Sequence, residues 1–67
     1  MLTTKIYILN FKTGDLEILN IGNHTINSNK ENDKLLKYLT DNYNIDDINY
    51  MVVTSREFNI KEKDIKL

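Results

Sequence analysis

Cysteine, proline, tryptophan, alanine and glutamine are all absent from this 67-residue chain, and histidine occurs once. Without cysteine there is no disulfide framework and no thiolate metal site, the usual staples of very small domains. A single histidine leaves too few nitrogen donors for a structural zinc site. The two glycines stand apart, so no glycine-rich loop is available to cradle a phosphate. No apolar run approaches the roughly 18 residues of a membrane span, so no membrane contact is expected. The opening residues, Met1-Leu2-Thr3-Thr4-Lys5, lack the charged start, apolar middle and small-residue cleavage site of a secretory signal. A cytoplasmic location is therefore expected, and the Asn23-His24-Thr25 glycosylation sequon is expected to go unused.

Charge of one sign is lacking too. Nine basic residues stand against ten acidic ones, for a formal net charge of −1. The segments 1–27, 28–50 and 51–67 carry 0, −2 and +1, counted from the sequence. A general nucleic-acid binder is normally basic. Nor is the chain acidic enough to imitate a nucleic acid.

What remains is strongly skewed. Ten Asn, nine Ile and eight Lys are present, with a single Arg. These choices follow AT-rich codons and point to a low-GC bacterium, or to one of its phages or mobile elements. A chain of this size buries only about 60% of its unfolded surface. With no staples, packing alone must hold it together, or packing plus a second copy.

Lys5 to Phe11 is rich in β-branched and aromatic residues, and Leu16 to Ile21 reads as its return strand. Lys12-Thr13-Gly14-Asp15 lies between them as a turn, with Gly14 free to take positive φ. A two-residue loop, Thr13-Gly14, pairs Phe11 with Leu16 and Leu9 with Ile18. A three-residue loop with a bulge pairs Phe11 with Asp15 and Leu9 with Glu17. The first matches apolar with apolar more consistently and is the expected register.

Either register makes this hairpin apolar on both faces. One face carries Tyr7, Leu9, Phe11, Leu16 and Ile18; the other carries Ile6, Ile8, Leu19 and Ile21. A sheet with one wet face should alternate cleanly instead.

Residues 23–29 read as a polar loop. Ser28 and Glu31 have capping-box spacing, opening a helix from about Asn29 to Asn42. Leu35, Leu36, Leu39 and Tyr43 form its apolar stripe. Asn42-Tyr43-Asn44 is the expected stop, with Asn able to adopt a left-handed terminal conformation. Ile45-Asp46-Asp47-Ile48 connects onward, its two Ile able to anchor it to the core. Asn49 to Arg56 reads as a third strand. Beyond Glu57, an extension of that strand and a short tail are expected. A small fourth strand across Lys61–Asp64, or a helical turn capped at Asn59, are the alternatives. The order ββαβ predicts one α+β domain over 1–67. Its antiparallel three-stranded sheet, in order 2-1-3, carries one helix packed on one face.

Chemistry is thin along this chain. His24 and Ser28 share a loop, but Ser28 is better explained as the helix cap. Asp41, Asp46 and Asp47 superficially resemble a calcium loop, yet the central glycine and the closing Glu are missing. No catalytic residue, cofactor or metal site is expected.

One helix covers one sheet face. The aliphatic set Ile6, Ile8, Leu19 and Ile21 is expected to take the helix leucines. That leaves Tyr7, Leu9, Phe11, Leu16 and Ile18 for a partner, and exposed apolar patches of this kind mark interfaces. Coverage of this face by the C-terminal segment, through Phe58, Ile60 and Ile65, is the competing arrangement. A free edge strand can also pair with another chain. The expected function is thus a small non-catalytic module that binds and modulates or inhibits a host protein, with self-association as a homodimer alongside. The alternative is nucleic-acid binding, with Tyr7 and Phe11 stacking bases near Lys5, Lys12 and Arg56.

Overall fold

A computed structural model describes residues 2–22, 26 and 28–67. The readings of His24 as a loop residue and of the Asn23 sequon fall outside them. The chain begins with two strands, β1 (Thr3–Asn10) and β2 (Asp15–Asn20). The helix α1 (Asn29–Asn42) follows, then a 3-10 turn (Ile45–Asp47) and a third strand, β3 (Ile48–Ser55). The sheet has order β2-β1-β3, and both pairings are antiparallel. This is the α+β arrangement that the ββαβ order implies.

The hairpin register corrects both expected ones. Leu9 lies opposite Leu16, Tyr7 opposite Ile18 and Ile6 opposite Leu19. The loop therefore spans Phe11 to Gly14, longer than either proposed turn. Its cause is Asn10, whose Oδ1 accepts the backbone N–H groups of Lys12 and Thr13, each at 3.0 Å. The Gly14 N–H donates to the Asn10 carbonyl at 2.7 Å. Asn side chains nucleate turns in this way by satisfying the backbone that follows. Gly14 closes the loop at φ +81°, a region that costs glycine little. Relative to the expected two-residue loop the pairing slips by two residues, and an even slip leaves every side chain on its original face.

That parity decides the core. Ile6, Ile8, Leu35, Leu39 and Ile48 are buried, with Leu19, Ile21, Tyr43 and Val52 packed against them. The aliphatic hairpin face thus takes the helix leucines. Burial of each such side chain stabilises by roughly 1.5–3 kcal/mol. Buried Thr4 shares this face and is satisfied by the Thr54 hydroxyl, Oγ1 to Oγ1 at 2.9 Å.

The helix starts where its cap dictates. Ser28 Oγ accepts the Glu31 N–H at 3.2 Å and donates to Glu31 Oε1 at 3.1 Å. It ends at Asn42, where the expected stop lies, but without the expected left-handed residue. Tyr43, at φ −136°, is extended, and its N–H donates to the Leu39 carbonyl at 2.8 Å. No described non-glycine residue has positive φ, so Asn supplies no left-handed stop. In the connector, Asn44 Oδ1 accepts the Asp46 N–H at 3.2 Å. Ile48 is buried, whereas Ile45 is 39% exposed and stands outside the buried core.

The third strand stops at Ser55, one residue before the expected Arg56. Residues 57–67 form neither a strand extension, a fourth strand nor a helical turn. Glu57, Lys61, Glu62, Lys63, Asp64 and Lys66 crowd six charges into this segment, with no uninterrupted apolar face to pack.

Candidate functional site: the helix-free sheet face

Strands alternate their side chains, so residues directly opposite share a face. Register then assigns the helix-free face residue by residue. From β1 it receives Lys5, Tyr7 and Leu9; from β2, Leu16, Ile18 and Asn20; from β3, Asn49, Met51 and Val53. Four of the five residues expected to bind a partner, Tyr7, Leu9, Leu16 and Ile18, come together here. The fifth, Phe11, lies just past the end of β1 in the loop, with its N–H on the Asp47 carbonyl at 3.0 Å. Met51 belongs to the same surface and was missed by the sequence reading. Strand order alone does not assign its face; the register of β3 against β1 does, setting Met51 opposite Tyr7.

The face is polar at one end and apolar at the other. At the polar end, Lys5 Nζ donates to Asn20 Oδ1 at 2.7 Å. The same ammonium sits 4.9 Å from the centre of the Phe58 ring. Phe58 also meets Tyr7 edge-on, with ring centres 6.3 Å apart and planes at 70°. The segment after β3 therefore covers part of this face through Phe58. It contributes no more than that ring, because Ile60, Ile65 and Leu67 are exposed at 71%, 75% and 110%.

The apolar end is bare. Leu9 is 44% exposed, Phe11 57%, Leu16 57% and Met51 65%. A shallow cleft of about 240 Å³ is lined by Tyr7, Leu9, Leu16, Asn49, Tyr50 and Met51. Large apolar side chains grouped in this way are unusual on a solitary soluble domain.

A larger groove of about 570 Å³ lies on the helix side, lined by Leu19, Ile21, Ile26, Lys34, Leu35 and Tyr38 among others. Ile26 is the only described residue between Gly22 and Ser28.

Titratable chemistry is sparse. The Tyr43 hydroxyl is pushed up to about 12, first by its hydrogen bond to Glu17, then by burial and by the Glu17 and Tyr38 charges. Among the described residues, no group of three or more His, Asp or Glu side chains is placed to hold a metal ion. No described helix is long and apolar enough to cross a membrane.

No protein-family model, curated protein or solved structure matches the chain.

Proposed function

We propose that the protein is a small, non-catalytic binding module that docks another protein on the apolar end of its helix-free sheet face. The observation carrying this reading is the group Leu9, Leu16 and Met51 at one end of one sheet face, with Phe11 in the adjoining loop, each at least 44% exposed. Aromatic residues and Met are enriched at interfaces, and Tyr7 and Phe11 add two rings here. The Asn-, Ile- and Lys-rich composition supports an AT-rich source, and with it a phage or mobile-element accessory protein acting on a host protein. The base composition of the gene tests that second step.

The nucleic-acid alternative draws on the same rings together with lysines. Lys5 is already engaged by Asn20 and by the Phe58 ring, which weakens it.

Affinity capture from a low-GC bacterial lysate, read by mass spectrometry, tests the proposal when run beside Leu16→Asp and Phe11→Asp. Both variants are expected to keep the wild-type circular dichroism and lose the captured protein. Ile65→Asp, on the exposed tail, is expected to retain it. A captured set unchanged by Leu16→Asp and Phe11→Asp removes this face from the function. Oligonucleotide affinity falling steeply with salt would favour the alternative.

A further inference from the structure

The two edges of the sheet are not equivalent. Edge strands are ordinarily guarded by charge, proline or a bulge, because their unpaired backbone groups template further pairing. Strand β2 carries Asp15 and Glu17 within six residues. Strand β3, Ile-Asn-Tyr-Met-Val-Val-Thr-Ser, has eight residues with no charge, no proline and no glycine. Its register against β1 runs without interruption from Ser55 to Ile48, so it contains no bulge.

Which backbone groups of β3 point outward follows from two hydrogen bonds. The Phe11 N–H donates to the Asp47 carbonyl at 3.0 Å, continuing the register that sets Tyr7 opposite Met51. On the other side of β1, the Ile21 N–H donates to the Thr4 carbonyl at 3.2 Å. Residues of an antiparallel strand alternate between their two neighbours. Odd-numbered residues of β3 therefore bond to β1, and Ile48, Tyr50, Val52 and Thr54 direct their N–H and C=O groups away from the sheet. The segment beyond β3 does not follow this edge at its start, because Phe58 reaches back over Lys5 and Tyr7 of β1.

We propose that a second copy of the chain pairs with this edge, β3 against β3, antiparallel across a two-fold axis at Met51. The outward residues select the register. Centred on Met51, Ile48 meets Thr54 and Tyr50 meets Val52, in both directions, so all four outward residues are used. A shift by two residues strands one of them at an end. The full register forms about eight backbone hydrogen bonds between chains, two for each hydrogen-bonded pair. Two aromatic-to-β-branched pairs, Tyr50 with Val52, add to it, and no like charges oppose. Met51, 65% exposed, covers its own copy on the axis. Both helices then lie on one side of a six-stranded sheet, and the two bare faces join on the other. The edge argument uses backbone groups and stands apart from the docking of a host protein.

Sedimentation between about 5 and about 300 μM reads the association directly. The wild type is expected to pass from monomer to dimer over this range. Tyr50→Pro deletes one outward N–H at an edge position where proline is tolerated, and is expected to stay monomeric with unchanged circular dichroism. Should that variant unfold, Met51→Cys carries the test, because the chain has no cysteine of its own. Axis residues of this pairing have Cα atoms about 4.5 Å apart, within the range a disulfide spans. Met51→Cys is expected to oxidise to a covalent dimer at least about tenfold faster than Leu16→Cys on β2. A wild type that stays monomeric at the highest concentration overturns the dimer. So does Leu16→Cys cross-linking as fast as Met51→Cys. If such a monomer still captures a host protein through Leu16, the docking face survives without the dimer.

Discussion

Tyr43 and Glu17, 26 residues apart in sequence, meet where the helix ends: the Tyr43 hydroxyl donates to Glu17 Oε2 at 2.6 Å. The contact ties the last turn of α1 to β2, the strand farthest from β3. It also holds the Tyr43 proton, moving its pKa from 10.0 to about 12. A raised folded-state pKa means that the folded chain binds this proton more tightly than the unfolded chain. The stabilisation is complete below the unfolded value of 10.0 and is lost as pH rises through about 12. Phenolate absorbance should report Tyr43 ionising late, near 12. In Glu17→Gln the carboxylate is gone, and that midpoint should fall back toward 10.0. An unchanged midpoint would show that burial, not Glu17, controls the proton.

Leu39 is fully buried against Ile6 and Ile8, which makes it the most sensitive core position. Leu39→Ala removes three methylene-sized groups and leaves a cavity, at a cost of about 2–5 kcal/mol. Total stability for a chain of this length is roughly 3–10 kcal/mol. The variant should therefore lose a large share of its stability, and its urea midpoint should fall well below that of the wild type. Urea titration followed by circular dichroism measures this. Leu36→Ala, on the half-buried flank of the same helix, should cost distinctly less.

Gly14 separates backbone strain from steric clash. An added Cβ at this position meets no atom within 4 Å, yet φ is +81°. Gly14→Ala should then cost only the left-handed penalty, about 1–2 kcal/mol. Gly14→Asn should cost less, because Asn tolerates that region. Thermal midpoints of the two variants check the order. If Gly14→Asn proves as costly as Gly14→Ala, the loop departs from the Asn10-nucleated geometry.

Legibility in the sequence was uneven for physical reasons. Strands, helix and cap were readable because Ile6, Ile8, Leu35 and Leu39 repeat at periods of two and about 3.6. The face assignment was readable too, since aliphatic residues opposite helix leucines pack without polar atoms. The register was not, because it turns on Asn10 accepting two N–H groups, a side-chain choice that periodicity does not encode. Composition carries the strand on to Phe11, whereas Asn10 is both the last residue of β1 and the start of the turn. The helix stop was readable in place, at Asn42-Tyr43-Asn44, but not in geometry. Tyr43 caps the helix in an extended conformation, with its hydroxyl on Glu17, and no left-handed Asn is used. Met51 escaped the candidate site because its face depends on how β3 registers with β1.

Phe58 decides how bare the candidate face is. Its ring touches Tyr7 and Lys5, while the residues after it stay exposed. An edge-on ring pair contributes about 0.5–1.5 kcal/mol. The cation contact at an exposed site contributes about 0.5–1 kcal/mol. Phe58→Ala should thus lower stability by about 1–2 kcal/mol, less than Leu39→Ala. It should also uncover Tyr7 and increase the fluorescence of an apolar dye bound to the folded protein. Leu16→Asp in the same background should reverse the dye signal, since Leu16 belongs to the same surface. A Phe58→Ala loss as large as that of Leu39→Ala would mean that the ring closes a second core. The face would then be structural packing, and the docking surface would have to be sought elsewhere on the molecule.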